Sequence, residues 1–576
     1  MSSLKFLSTY LSPQRGAVVL LAALIFGGIG LQLVNPQLIR YFLDTVQSGG
    51  SETALGWVAG LYLAFALLQH GAGLAASIVS QNVTWRATNA MRHDLLLHTL
   101  RLDLPFHQEH APGELIERVE GDVNELSVYF SEFVVRVVGN GMLVVGILLA
   151  LYREDWRVGV GLTIYVALTL LVLSLTQNVA VKRWTEARQA SAAQYSFIEE
   201  RLVGAEDLRA NGAVPYVLYR LQQLMRRFLE RYRAAYTLRT VLSNFTNVLA
   251  VTGYALGLAL GVYLFRQGVA SLGTAYLIVN YSGMLAVPLQ NIRAQLQGWQ
   301  QALASLARIA ELFAFQPVVT SRSTQTLPAT ALSVEFDQVE FGYAENDNVL
   351  HQVSFTVRPG RVLGVLGRTG SGKSTLVRLL FRLYDPAAGV IRLNGVDARD
   401  LALDTVRAQV GMVTQEVQLF QASLRDNLTF FNPHISDEQI THTLRELRLW
   451  DWLSRQPQGL DTELETGGRG LSAGEAQLLA FTRVFLKKPG LVILDEASSR
   501  LDPATETLLE RAVDQLFQQR TGIVIAHRLQ TVERADDILI LDQGRIAEYG
   551  ERAQLVADPN SRFSQLLKTG LQEALA

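Results

Sequence analysis

Val362-Leu-Gly-Val-Leu-Gly367-Arg-Thr-Gly-Ser-Gly-Lys373-Ser374-Thr-Leu-Val-Arg-Leu-Leu380 is the stretch from which the second half of this chain is read. An apolar run, Val362–Leu366, enters a glycine-rich loop, and a helix is expected over Thr375–Leu383. The loop is GxxxxGK[ST] in a strand–loop–helix setting, the pattern whose backbone wraps a phosphate chain. Gly367, Gly370 and Gly372 let the backbone close in. The helix start aims free N–H groups and a positive dipole end at the anion. Lys373 is expected to neutralise β- and γ-phosphate oxygens and Ser374 to ligate Mg²⁺, with Thr369, Ser371 and Thr375 completing the contact set.

A second apolar run, Leu491–Leu494, ends in Asp495-Glu496, and a third, Ile523–Ala526, ends in His527. A continuous apolar run is the mark of a strand buried on both faces, and ligands bind at the carboxyl ends of such strands. Asp495 suits Mg²⁺ contact. Glu496 suits positioning or deprotonating an attacking water. An isolated Asp-Glu would otherwise open a helix, and a lone His is ordinarily structural; their place after the phosphate loop favours chemistry.

Upstream the character changes. The 576 residues carry 51 Lys+Arg against 53 Asp+Glu, and charged residues make up only 18%. That share is below the usual ~25%, so part of the chain should face something other than water. A net charge of −2 gives no footing for nucleic acid. The absence of cysteine excludes disulfides, thiolate metal sites and cysteine nucleophiles.

The apolar residues concentrate before about residue 290. Ala17–Val34 is uncharged and long enough to span a membrane. Further spans are expected at Leu55–Ser80, Ser131–Tyr152, Val158–Val181, Val241–Phe265 and Val269–Pro288, the last polar and marginal alone. Short loops alternate with two long segments, Gln81–Phe130 and Lys182–Thr240, both helical in pattern and rich in Arg, which favours the cytoplasmic side. Breaks at Leu104-Pro105-Phe106 and at Gly204 through Asn211-Gly212 mark the tips of two helical stalks. Met1–Ser12 has the pattern of a short interfacial helix. The division expected is a transmembrane domain at 1–313, a linker at 314–330 and a phosphate-binding α/β domain at 331–576.

Leu471-Ser-Ala-Gly-Glu475 opens the apolar helix Ala476–Leu486, and with it the chain resembles an ATP-binding-cassette exporter half-transporter. The resemblance covers nearly the whole chain and implies an all-α six-helix membrane domain followed by an α/β P-loop ATPase. It implies ATP and Mg²⁺ as cofactors. Tyr343 would stack on adenine, and Gln415 would reach Mg²⁺ and the water. Ser472 and Gly474 would form the signature, and Asp495 and Glu496 the Walker B pair. Ser499–Asp502 would form the D-loop, with Asp502 among the nucleotide contacts, and His527 would be the switch histidine. Catalysis would fall to Glu496, His527, Gln415 and Lys373, and the metal to Ser374, Gln415 and Asp495. Coupling helices are implied near Pro105–Gln108 and Asp207–Gly212. Each ATP in the family lies between two chains, so a second half-transporter is the expected partner.

Three departures stand out. The family signature LSGGQ is here LSAGE, so Glu475 puts a carboxylate near the expected γ-phosphate and should weaken binding there. The segment Glu465–Arg469 replaces a TEVGERG-like run, and Arg500 stands where Ala is usual. In the family the chain resembles, heterodimers often pair a chain with an odd signature and intact Walker residues with one of opposite defects, so the resemblance implies a heterodimer rather than a homodimer. Asn244, Asn247, Tyr254, Asn280, Tyr281 and Ser282 either line a path or hydrogen-bond between helices. Few charges fall mid-span, so the expected cargo is amphipathic and lipid-like, drug-like or a small peptide. The rival readings are an importer of a metal chelate on the same fold and an ATP-gated channel. The expected location is a plasma or inner membrane, in contact with lipid, with the ATPase cytoplasmic and no cleavable targeting segment.

Overall fold

The computed structural model describes residues 8–133, 137–320, 325–328, 330–344, 347–414, 417–468, 470–495, 503–526 and 532–569. It divides into two compact units, one formed by Met1–Arg101 with His110–Phe315, the other by Leu102–Glu109 with Gln316–Ala576. The short segment Leu102–Glu109 thus belongs with the second unit, although His110–Phe315 separates the two in sequence.

The first unit is helical. Among the described residues five helices are long and apolar enough to cross a membrane: Ser8–Gln47, Glu52–Arg101, Trp156–Leu173, Val214–Arg266 and Leu272–Ile292. The third expected span runs through 134–136, outside the described residues; its described parts are the end of the helix Val123–Phe133 and the helix Gly139–Glu154. The helix Glu52–Arg101 has 50 residues, which at 1.5 Å per residue is about 75 Å. A hydrocarbon core of ~30 Å leaves more than half of it as stalk. The stalks turn at short helices, Leu104–Glu109 and Ala205–Ala210. Large apolar side chains such as Val19 and Leu63 lie exposed on the spans, as lipid contact requires.

The polar last span is held by shape. On Val214–Arg266 a Cβ on Gly257 would sit 2.1 Å from Ser282 Oγ and one on Gly261 3.1 Å from the Ala275 carbonyl, while Gly253 makes room for Tyr165. Small residues permit the close backbone approach that drives helix association in lipid. Tyr281 is 1% exposed and donates to the Leu33 carbonyl at 2.6 Å, and Ser282 donates to Ile278 O in its own helix. Asn280 donates to the Tyr276 hydroxyl. Those three serve packing, whereas Asn244, Asn247 and Tyr254 are exposed.

The second unit carries two sheets. β1 (Val334–Ala344), β2 (Asp347–Val357), β4 (Ala388–Leu393) and β5 (Val396–Asp397) form an antiparallel sheet in the order β2-β1-β4-β5. β3 (Val362–Gly367), β6 (Val410–Val413), β7 (Leu491–Asp495), β8 (Thr521–Ile525), β9 (Asp537–Asp542) and β10 (Arg545–Glu551) form the other, in the order β10-β9-β3-β8-β7-β6. All its pairings are parallel except β10 on β9.

Alternate residues of the central strands enter different cores. Leu363, Val365, Ile493, Ile523 and Leu539 join one apolar cluster with Leu376 and Leu380 of the following helix. Leu366, Val492, Leu494, Val524 and Ile540 join another with Leu478, Phe481 and Val484. Both faces are covered, so each strand reads as an unbroken apolar run. The helix expected to reach Leu383 spans Lys373–Leu380 instead. It stops where Arg382 adopts φ +50° and, 1% exposed, turns inward to Asp385.

Candidate functional site

The glycine loop leaves β3 at the sheet centre and ends at the helix Lys373–Leu380. Gly367 has φ +154°, and a Cβ there would lie 2.4 Å from the Leu541 carbonyl. The loop is pinned by Gly544 N donating to Ser371 O at 3.2 Å. Lys373 is 7% exposed, and its ammonium donates to the carbonyls of Gly367 (2.6 Å) and Arg368 (3.0 Å). Ser371 is 3% exposed, and its hydroxyl has no hydrogen-bond partner. A buried unpaired hydroxyl inside a loop closed around an ammonium is what a phosphate chain would satisfy. Ser374 and Thr369 are exposed at the loop surface, and Thr375 is buried behind it.

Asp495 closes β7, and the register aligns it with Ile525 of β8 and so with Val365 of β3. Two strand spacings, about 10 Å, therefore separate the row of Asp495 from the start of the phosphate loop, at the same carboxyl edge. Hydroxyl and carboxylate oxygens are the donors Mg²⁺ takes, and it keeps waters and phosphate oxygens for its other positions. Ser374 and Asp495 fit that chemistry. Gln415, Glu496, Asp502 and His527 lie outside the described residues, as do Arg469 and Arg500.

Tyr343 is 43% exposed at the end of β1. Its hydroxyl lies 3.1 Å from Thr375 Oγ1 and accepts from Arg378 Nη1 at 2.8 Å, so the helix behind the phosphate loop anchors the hydroxyl end of the ring and leaves its face open. Behind it stands Tyr384, edge-on at 5.3 Å and 84°. Neither Arg378 nor Tyr384 was marked by the sequence pattern, because both act through tertiary neighbours.

The signature segment opens the helix Ala473–Lys487. Ser472 is its N-cap, and Gly474 is buried beside it. Glu475 stands at the expected helix start, with its carboxylate folded back onto the chain. One oxygen accepts from Ser472 N at 2.7 Å, the other from the Trp452 indole at 2.6 Å, while Glu475 N donates to Ser472 Oγ. Burial alone would raise the pKa of Glu475; the Ser472 and Trp452 hydrogen bonds and the charge of Arg455 outweigh it and hold the group below the ordinary range. The helix is tied in turn to the loop at Gln418 and the short helix Leu424–Thr429, as Arg483 donates to the carbonyls of Gln418 and Asn427.

Two family models match, the ABC transporter transmembrane region over residues 18–289 and the ABC transporter over 350–499. The ABC transporter ATP-binding protein YknV of Bacillus subtilis is 27% identical over 554 residues, covering 96% of this chain and 92% of that protein. The ATP-dependent lipid A-core flippase of Alcanivorax borkumensis is 27% identical over 548 residues, covering 94% and 93%. A solved bacterial Atm1-family ABC exporter with ATP bound superposes with a TM-score of 0.82 at 24% identity, over 96% of this chain and 98% of that one. The half-transporter architecture implies dimerisation. A helical membrane unit and an ATPase unit in one chain, matched along their length, mean that this protein belongs to the ABC transporters, as a multi-pass membrane protein with a cytoplasmic ATP-hydrolysing domain.

Proposed function

We propose that this chain uses ATP to export or flip an amphipathic, lipid-like substrate, working as one half of a dimer by alternating access. The observation that carries the reading is the phosphate loop itself, with its closed ammonium and unpaired Ser371 hydroxyl, in one chain with a membrane unit. The lipid-like cargo follows from the near absence of mid-span charge and from the lipid A-core flippase relative.

Bound here, ATP with Mg²⁺ supplies the γ-phosphoryl group that water attacks. The chain's own residues divide the work. Lys373 neutralises phosphate oxygens, Ser374, Asp495 and Gln415 hold the metal, Tyr343 stacks on the base, Glu496 orients the water, and His527 hydrogen-bonds the γ-phosphate. Electrostatic positioning of this kind supplies most of the rate in phosphoryl transfer. The partner is a second half-transporter of different sequence, the reading favoured by Ala473 and Glu475 in the signature beside intact Walker residues.

The test is the full chain together with a candidate partner half-transporter in lipid nanodiscs and proteoliposomes, beside Glu496→Gln in this chain. Mg-ATPase and ATP-dependent movement of a fluorescent phospholipid are expected to be lost together in the variant. Passive flux down a gradient that persists in Glu496→Gln would overturn the pump in favour of a gated channel. Dimer mass with full turnover from this chain alone would overturn the heterodimer.

A further inference from the structure

Within the second unit a line of contacts joins the base platform to the Leu102–Glu109 segment. Tyr343 touches the helix behind the phosphate loop through Thr375 and Arg378. Its ring meets Tyr384 edge to face at 5.3 Å, and Phe341 packs against both rings. Tyr384 is 8% exposed, and its hydroxyl donates to Gln108 Oε1 at 2.8 Å. Burial raises the pKa of that phenol, so it stays a donor.

The Leu102–Glu109 segment has two kinds of anchor. Asp103 accepts from the backbone N–H groups of Val318 and Val319, Leu104 packs on the apolar cluster of β3, and Phe106 is buried. These hold it permanently. Gln108 is exposed, so water can replace its bond to Tyr384 at little cost, which makes this the releasable contact.

We propose that Tyr384 is a positioning residue that reads base occupancy at Tyr343 and passes it to the Leu102–Glu109 segment through Gln108. The proposal rests on the reading of Tyr343 as the adenine platform. A base stacked on Tyr343 constrains that ring. Tyr384, wedged between Phe341 and Tyr343, follows, and its hydroxyl keeps or loses Gln108. In sequence the segment follows the helix Glu52–Arg101, after the two non-helical residues Leu102 and Asp103.

The chain contains no cysteine. A single Glu109→Cys therefore carries one environment-sensitive fluorophore on the full-length protein in lipid nanodiscs. Mg²⁺ with the non-hydrolysable analogue AMP-PNP is compared with Mg²⁺ and inorganic tripolyphosphate, which has phosphates and no base. AMP-PNP is expected to change the emission several-fold more than tripolyphosphate. Tyr384→Phe keeps the ring contact and removes only the hydroxyl. It should cut the AMP-PNP response about fivefold, the bias of one neutral hydrogen bond, with affinity unchanged within about twofold. Gln108→Met should do the same from the exposed side. Equal responses to the two ligands, or full responses in both variants, overturn the proposal. Failure of the unsubstituted protein to bind AMP-PNP, measured separately by equilibrium binding, overturns the nucleotide reading itself.

Discussion

Replacing Glu475 by Ala removes a carboxylate that accepts two hydrogen bonds at the start of the signature helix. The Ser472 N–H and the Trp452 indole each lose an acceptor, at 2.7 and 2.6 Å. A charge-assisted hydrogen bond contributes ~1.5–3 kcal/mol when buried, and Glu475 is only half-buried. Discounted for solvent, the two acceptors together contribute about 1–2 kcal/mol. For a unit of this size that lowers the melting temperature by roughly 2–6 °C. The assay is thermal unfolding of the full chain, followed by the emission of Trp452 and its neighbours.

The pH dependence gives a second readout. The folded carboxyl titrates below its ordinary value, so the unfolded state binds the proton more readily and stability rises with pH. The contribution is complete above the unfolded pKa of ~4.3 and disappears as pH falls through the folded value. Glu475→Gln keeps an acceptor without charge, so its deficit against the native protein should be present at neutral pH and vanish in acid. The Trp452→Phe and Glu475→Ala effects should also be non-additive by about 0.5–1 kcal/mol. Additive effects, or a pH-independent deficit, would refute the assignment of this carboxylate to helix capping.

Gly367→Ala places a Cβ 2.4 Å from the Leu541 carbonyl at φ +154°. It should cost about 2–4 kcal/mol and abolish nucleotide binding in an equilibrium titration. Arg382→Met removes a guanidinium that serves Asp385 and the carbonyls of Leu401 and Thr320 from a fully buried position. A loss of about 2–3 kcal/mol, or roughly 5–10 °C, is expected in thermal unfolding. In the membrane unit the buried Asp122 accepts a bidentate pair of bonds from Arg308. Asp122→Asn should loosen the contact between Glu117–Asp122 and Ala286–Ala314 by about 2 kcal/mol, seen as faster proteolysis near residue 300.

The membrane unit shows where sequence patterns run out. Spans one, two, four and five were legible because a bilayer demands long uncharged helices, and uniform hydrophobicity survives without knowledge of neighbours. The last span was marginal because it is held by Gly257 and Gly261 of the preceding helix, a shape match that hydropathy along the chain does not register. Tyr281 and Ser282 were ambiguous for the same reason: a polar residue in a span lines a path or bonds a neighbour, and only the neighbour decides.

In the ATPase unit the contrast is sharper. By itself the sequence determined the phosphate loop, the strand ends at Asp495 and Ala526, the helix at the signature and the family, since a run of glycines around a lysine after an apolar strand has one local geometry that serves it. Only the tertiary structure decided that the Glu475 carboxylate turns back to Ser472 and Trp452, that Arg382 ends a helix by burying itself, and that Tyr384 bridges Tyr343 to Gln108. Local backbone preference is written in adjacent residues. Partners separated by 23 or 276 positions are not, because folding alone brings their side chains within hydrogen-bonding reach.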